Sequence, residues 1–251
     1  MRRGAFLLIA LLAGGLSLSS AGASVAPPRG PETLPRLMLW AWERPVDLLA
    51  LDAGIGVAFL SQTLIVRNGA VEAMPRRNPL KVSDHTPLVA VTRVETGGGA
   101  AALRSPELAS MVTAIAGTAM LPRVAGVQID FDAAESERAF YRELVQAVRT
   151  ALGQDVPLSI TALASWCTGD RWLQGLSVTE VVPMLFRLGP VNEPYTGMAS
   201  APRAAAPECQ AAIGTALDEP LYTRARGRRV YVFNPGSWTP ASVARAREVL
   251  Q

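Results

Sequence analysis

Residues Gly126–Arg149, GVQIDFDAAESERAFYRELVQAVR, decide the fold class. The first part alternates apolar residues with Gln128, Asp130 and Asp132, and a period of two predicts a strand with one apolar and one polar face. The second part has the periodicity of an amphipathic helix, which ends at Gly153. A strand that runs directly into a helix is the repeating unit of parallel α/β folds.

Seven other stretches share this strand-like character. They are LMLWAW around 38–42, GVAFLSQTLIV, LVAVTRV, LSITALAS, VVPMLF, a weaker AIGTAL, and VYVFN. Eight strands separated by helices or loops in 251 residues predict a compact α/β fold, an irregular (β/α)8 barrel of the TIM type. A doubly wound open sheet is the alternative.

The connections between these strands define the irregularity. SPELASMVTAIAGTA, with Ser105 as N-cap, and TPASVARAREVL are predicted helices, and so is PVDLLALDA after the first strand. After the second strand, an Asn68-Gly69 turn between apolar runs predicts a hairpin in place of a helix. The seventh unit is predicted to be shortened.

The amino terminus has the pattern of a secretory signal peptide, with two arginines, an apolar run and small residues that end at Ala23. We predict a signal peptide over 1–23, a linker over 24–34 and one barrel domain over 35–251. The protein is then periplasmic or secreted, with no stable membrane anchor after cleavage. A transmembrane anchor is the weaker alternative, because the apolar run is short and broken by glycines and serines.

The two cysteines, Cys167 and Cys209, are predicted to form a disulfide, because export places them in an oxidising compartment. The only histidine, His85, and the only lysine, Lys81, precede the third strand and would lie at the N-terminal end of a barrel. This position argues against a histidine-rich metal site, a Ser-His-Asp triad and a Schiff-base lysine. We therefore expect no metal and no cofactor.

The overall charge argues against nucleic acid as a partner. The formal net charge of +3 includes Arg2 and Arg3, which belong to the predicted signal peptide. The mature chain is thus close to neutral, and it has no basic stripe interleaved with aromatic residues.

Asp130 and Asp132 carry the predicted chemistry. Both would point into the barrel near its C-terminal mouth, where such barrels have their active sites. General acid/base catalysis needs carboxylates in such a place, because burial and mutual repulsion raise the pKa of one while the other stays ionised. Asp130 would need a cationic partner, for which Arg93 and Arg187 are candidates. Asp132 has a structural alternative, since Asp132-Ala133-Ala134-Glu135 fits a helix capping box.

Several segments together resemble an exported bacterial family known as domain of unknown function 3142. They are GVQIDFDA, LSITALASWC, VVPMLFRLG, DEP and VYVFNPGSW. This pattern is similar in turn to the chitinase-type (family 18) glycoside hydrolases, which are (β/α) barrels with a D-G-x-D-x-D-x-E motif on the fourth strand. The resemblance implies that Asp132 occupies the position of the proton-donor Glu. It places Asp130 at the Asp that orients the substrate N-acetyl group, and Gln128 at the first strand acid.

The same resemblance implies a sugar pocket. Met184 and Phe186 match the Met-x-aromatic pair of the sixth strand, and Trp238 matches the tryptophan that floors the sugar site. The sequence departs from the family at three positions: Gln128 replaces an acid, Asp132 is one methylene shorter than Glu, and Arg187 stands where the family has a further acid.

Other residues complete the predicted carbohydrate site. Trp42 could stack on a pyranose ring, whereas core packing is at least as good an interpretation for Trp40. Asp218 and Glu219 could supply a second catalytic carboxylate, or they are plain loop residues before a proline. The predicted polar contacts to the sugar are Gln128, Arg93, Arg187 and Asn234.

These features predict an exported glycoside hydrolase that binds and cleaves a polysaccharide by carboxylate acid/base catalysis. A non-catalytic glycan-binding barrel is one alternative, which the change from Glu to Asp at position 132 favours. A cell-envelope assembly factor is another, because barrels host many functions.

Overall fold

The computed structural model describes residues 34–96, 105–189, 195, 197–198, 205–220, 225 and 227–251. Its strands are β1 Leu37–Ala41, β2 Val46–Leu48, β3 Ile55–Arg67, β4 Ala70–Pro75, β5 Leu80–Val82, β6 Leu88–Thr96, β7 Val124–Asp130, β8 Leu158–Leu163, β9 Glu180–Met184, β10 Ala212–Ala216 and β11 Arg229–Phe233. Its helices with described bounds are α1 Ser105–Gly117, α2 Arg138–Leu152 and α3 Pro240–Arg247. Tyr195, Gly197 and Met198 are also helical.

Eight of these strands form a closed parallel barrel. In ring order they are β1, β3, β6, β7, β8, β9, β10 and β11, and β1 pairs with both β3 and β11 to close the ring. Closure satisfies the backbone of every strand on both sides, so the ring has no open edge. The eight strands coincide with the eight predicted runs, which confirms the barrel and excludes the open sheet.

Alternate residues of the barrel strands pack on opposite sides. Met38 and Trp40 of β1 belong to an apolar cluster inside the barrel, together with Val91 and Tyr231. Val127, Ile129 and Phe131 belong to the larger cluster outside it, which includes the buried face of α2. The period-two pattern of the strands therefore separates an inner core from the helix layer.

The two predicted irregularities are present. β3 and β4 form an antiparallel hairpin around Asn68 and Gly69, whose φ angles are 52° and 78°. Positive φ at both central residues is what a tight two-residue hairpin turn needs. In the seventh unit only residues 217–228 separate β10 from β11, and the described part of this connection contains no helix.

The predicted helix PVDLLALDA after β1 is wrong. The segment contains β2, which pairs in parallel with β5. Val46 and Leu48 are buried whereas Asp47 is exposed, a period of two that suits a strand. The segment PVDLLALDA is so short that its apolar residues fit the period of a helix as well as the period of a strand.

The predicted disulfide is confirmed. Cys167 and Cys209 are bonded, with their Cα atoms 5.9 Å apart, and both are buried. The bond ties the loop after β8 to the turn before β10. None of the described helices is long and apolar enough to cross a membrane. The predicted signal peptide over 1–23, and the linker up to residue 33, lie outside the described residues.

Candidate active site

A cleft of about 480 Å³ opens where the barrel strands end. Its polar side is formed by the ends of β6, β7 and β8 and carries Arg93, Asp130, Asp132 and Thr161. Its apolar side is formed by the ends of β1, β9 and β11. The C-terminal mouth of a parallel barrel gathers side chains from several strands, which makes it the usual place for a site.

Asp130 is buried and fixed at both carboxylate oxygens. Thr161 Oγ1 donates to Asp130 Oδ1 at 2.7 Å, and Arg93 Nη1 donates to Asp130 Oδ2 at 2.8 Å. The Asp130 side chain is 3% exposed, so the ion pair with Arg93 compensates a charge that would otherwise be costly to bury. Both carboxylate oxygens of Asp130 accept a hydrogen bond, which fixes the orientation of the side chain.

Asp132 is in a different environment. Its side chain is 47% exposed, and its nearest cation is Arg93 Nη2, 4.0 Å from Asp132 Oδ2. Within the described part of the chain, no donor forms a hydrogen bond with this carboxylate. Partial desolvation and then the charge of Asp130 raise the pKa of Asp132, and Arg93 opposes this effect only in part. Asp132 is therefore the carboxyl group of the pair that holds a proton more readily than an ordinary aspartate.

The capping interpretation of Asp132 is wrong. The turn that precedes α2 spans Glu135–Glu137 and has Ala134 as its N-cap. Glu137 Oε2 accepts a hydrogen bond from Ala134 N at 2.8 Å. The carboxylate of Glu137, the third residue of the turn, therefore caps the backbone N–H at the start of the turn. The Asp132 side chain is consequently left in the cleft.

Gln128 lies below Asp130 on the same face of β7 and is fully buried. Its Oε1 accepts from Trp40 Nε1 at 2.8 Å, and its Nε2 donates to Ser159 Oγ at 3.0 Å. An uncharged amide suits this position because a buried carboxylate would need a cation. Gln128 is not a lining residue of the cleft, so it supports the floor rather than facing a ligand.

An aromatic wall faces the carboxylates. Phe186 and Phe233 stack with their ring centroids 5.7 Å apart, and Trp42 meets Phe233 edge-on at 6.3 Å. Trp40, 3% exposed, closes the bottom of this wall, 6.2 Å from Phe186. Met184 also lines the cleft. Such rings offer flat apolar faces on which the C–H face of a sugar can pack.

Arg187 lines the rim of the cleft and is held by two acids. Its guanidinium contacts Asp218 Oδ2 at 2.5 Å and Glu219 Oε1 at 2.7 Å, and its backbone N donates to Glu219 Oε1 at 3.0 Å. Asp218 and Glu219 are not lining residues of the cleft. The structure therefore joins these three predicted residues to one another and does not bring the two acids beside Asp130.

Two other predicted contacts lie away from the cleft. Trp238 is 7% exposed and packs in the outer core, with its Nε1 donating to Trp40 O at 2.9 Å. The ring that closes the floor is Trp40 instead. Asn234 is folded into its own loop, where its side chain accepts from Gly236 N and donates to Ser237 O, both at 3.0 Å.

The sequence analysis missed Thr161, Phe233 and Tyr195, which also line the cleft. The alternation in LSITALAS could have identified Thr161, since Ser159 and Thr161 share one face of β8 as Gln128 and Asp130 share one face of β7. Across the residues that the structure describes, no three His, Cys, Asp or Glu side chains are grouped to hold a metal ion.

A family model described as "Domain of unknown function (DUF3142)" matches residues 84–216. A search of the curated proteins finds no match.

Among solved structures, a chitinase (RmChi1) from Rhizomucor miehei matches with a TM-score of 0.50 and 13% identity, over 72% of this chain and 69% of that chain. The chitinase domain of the spore coat protein CotE from Clostridium difficile matches with a TM-score of 0.41 and 12% identity, over 67% of this chain and 53% of that chain. At 13% identity, the first match shows a shared barrel fold.

Proposed function

Because this chain belongs to the DUF3142 family and folds as a parallel barrel with paired carboxylates in its mouth, we propose that it is an exported glycoside hydrolase that cleaves a polysaccharide. The observation that carries the proposal is the contrast between Asp130, fixed by Arg93 and Thr161, and Asp132, which is half-exposed and has a raised pKa. The aromatic wall opposite them supports a sugar as the ligand. The likeness to the Rhizomucor miehei chitinase supports the barrel fold on which the proposal depends. The residues of the cleft support the proposed acid/base chemistry.

In the proposed reaction Asp132 is the general acid. A raised pKa lets it hold a proton, and its exposed side chain can donate that proton to the oxygen of a glycosidic bond. Asp130, held by Arg93 and Thr161, stabilises the positive charge that develops on the sugar, or orients a substituent of the substrate. Water then adds to the anomeric carbon as the glycosidic bond breaks, and a proton of that water returns to Asp132.

The remaining cleft residues would bind the sugar. Trp42, Phe186 and Phe233 would pack against its apolar face. Met184 also lines the cleft, and Trp40 is the floor. Arg187 is the proposed polar contact at the rim. Use of Asp218 or Glu219 as a second catalytic carboxylate would require their ion pairs with Arg187 to break. We therefore assign these two acids to holding the rim in place.

Export is part of the proposal. The buried Cys167–Cys209 disulfide supports it, because structural disulfides persist in oxidising compartments. In the cleft, the bond holds the loop that contributes Ala164 and Ser165 to the wall.

Release of new reducing ends from a panel of polysaccharides tests the hydrolase. Asp132→Asn and Asp130→Asn should each lower turnover by about 100-fold or more, because each removes a group that acts in the transition state. Asp84→Asn is the matched control, since Asp84 is 94% exposed and lies before β6, at the other end of the barrel. Equal activity of all three variants would reject the catalytic roles of Asp130 and Asp132, and no release from any glycan would reject the hydrolase.

A non-catalytic glycan-binding barrel is the second candidate. It is favoured by the short Asp132 side chain and by the engagement of Asp218 and Glu219 with Arg187, which leaves no second free carboxylate among the described cleft residues. Glycan binding that persists in Asp132→Asn, with no turnover by the unmodified protein, would establish it.

A further inference from the structure

Arg93 is the residue on which the two cleft carboxylates depend. It lies opposite Asp130 in the register between β6 and β7, and its side chain is 34% exposed. Three carboxylates surround its guanidinium, those of Asp130, Asp132 and Glu95. A planar guanidinium has donors in fixed directions, so bonds to two of these groups determine its orientation toward the third.

The three nitrogen atoms of the Arg93 guanidinium lie at different distances from the three carboxylates. Nη1 is 2.8 Å from Asp130 Oδ2 and Nε is 3.1 Å from Glu95 Oε1, whereas Nη2 stays 4.0 Å from Asp132 Oδ2. Glu95 follows Arg93 by two residues on the same strand and therefore points to the same side. Its carboxylate fixes the side of the guanidinium that Asp130 does not hold.

Few other charges act on Asp132. Asp130 from β7 and Arg93 from β6 are its charged neighbours, and the hydroxyl of Tyr141 from α2 also interacts with it. Burial raises the pKa of Tyr141 well above its ordinary value, so this hydroxyl stays neutral. Arg187, the other described cation of the cleft, is engaged by Asp218 and Glu219. The position of the Arg93 charge therefore decides how strongly Asp132 is favoured in its ionised form.

We propose that Arg93 and Glu95 are positioning residues: Glu95 holds the guanidinium on Asp130 and away from Asp132, so that Asp130 keeps its ion pair and Asp132 is left to act as the general acid. This inference rests on the proposed role of Asp132 as the general acid. It assigns Arg93 to the carboxylates rather than to the substrate, in contrast to its predicted role as a sugar contact. It also adds Glu95, which the sequence analysis did not select, to the site.

The test is the pKa of Asp132, measured by carboxyl ¹³C NMR titration of the mature protein, with Asp132→Asn identifying the resonance. In Glu95→Gln the guanidinium is free to turn toward Asp132 and one negative charge is lost. The pKa of Asp132 should therefore fall by about half a unit or more. Glu248→Gln is the matched control, because Glu248 lies in the last turn of the chain and is not a cleft residue.

Arg93→Gln gives the opposite expectation, a rise in the pKa of Asp132, because the cation is lost. It also leaves buried Asp130 without its ion pair and costs stability. Glu95→Gln, a surface change, therefore decides the test. An unchanged or raised pKa of Asp132 in Glu95→Gln would overturn the proposal.

The titration needs no substrate, so its outcome is separate from that of the reducing-end assay. A fall in the pKa of Asp132 without release from any glycan would retain the positioning roles and reject the hydrolase. In an active enzyme, Glu95→Gln should also move the basic limb of the kcat/KM profile to lower pH by the same amount, since that limb reports deprotonation of the general acid.

Discussion

The floor of the cleft depends on a glycine, and Gly214→Ala tests this dependence. Gly214 of β10 faces Trp40 across the barrel interior. A Cβ at position 214 would lie 2.8 Å from Trp40 Cη2 and 3.0 Å from Trp40 Cζ3. Carbon atoms in contact are about 3.5–4.0 Å apart, so the indole would have to move by about 0.7 Å or more.

Trp40 cannot move that far without loss. Its Nε1 donates to Gln128 at 2.8 Å, and its ring packs 5.2 Å from the ring of Tyr231. Overpacking of a tight core costs about 1–3 kcal/mol, so we expect Gly214→Ala to lower the free energy of unfolding by about 2 kcal/mol. For a chain of this size that is a fall in Tm of about 4–8 °C.

Thermal unfolding in a double-mutant cycle with Trp40→Phe isolates this contact. Phenylalanine lacks the outer indole ring, so Gly214→Ala should cost much less in the Trp40→Phe background. Gly117→Ala is the control, since a Cβ there meets no atom within 4 Å and φ is −58°. It should leave Tm unchanged or raise it slightly. An equal cost of Gly214→Ala in both backgrounds, or no cost in either, would refute the reasoning.

Three further predictions concern stability. Asp132→Asn should raise Tm at pH 7. Because the pKa of Asp132 is raised in the folded protein, its carboxyl group stabilises the folded state at a pH below its ordinary pKa of 3.8, and this stabilisation is lost as pH rises through the folded-state pKa. Asparagine does not ionise and has no such loss. A Tm gain that grew on acidification would contradict this sign. Replacing both Cys167 and Cys209 with alanine should cost about 4 kcal/mol by chain entropy, since the bond spans 42 residues, and chemical denaturation that shows under 1 kcal/mol would contradict it. Gln128→Glu should destabilise the fold by about 1–3 kcal/mol, and more at high pH, because it buries an ionisable group. Tm measured from pH 5 to 8 should therefore fall more steeply than in the unmodified protein, and parallel Tm curves would contradict this prediction.

The strands were predictable because the physical signal in each is local. Gln128 and Asp130 alternate with Val127, Ile129 and Phe131, and this period of two predicts a strand with two different faces. The helix that follows predicts that the apolar face packs against a helix layer. The hairpin was likewise encoded in Asn68-Gly69, two residues that tolerate positive φ. The helix predicted at PVDLLALDA failed because β2 is held by its pairing with β5, a partner distant in the sequence.

The cleft was only partly predictable. Asp130, Asp132, Trp42, Met184 and Phe186 line the cleft because each stands at or just after the end of a recognised strand. Trp238 and Asn234 lie in the loop after β11, and a loop can turn its side chains inward, outward or onto itself with no periodic signal.

The sequence by itself determined the eight strands, the hairpin, the disulfide and the strand that ends at Asp130, and closure of the ring decided between the barrel and the open sheet. Tertiary structure alone decided which charges meet: Arg93 binds Asp130 and Glu95 and leaves Asp132 with a raised pKa, whereas Arg187 binds Asp218 and Glu219. The physical reason is the distance in sequence over which each interaction acts. Strand periodicity is set by neighbours along the chain, but Coulomb and hydrogen-bond energies depend on distances of a few ångströms between side chains that only barrel closure brings together.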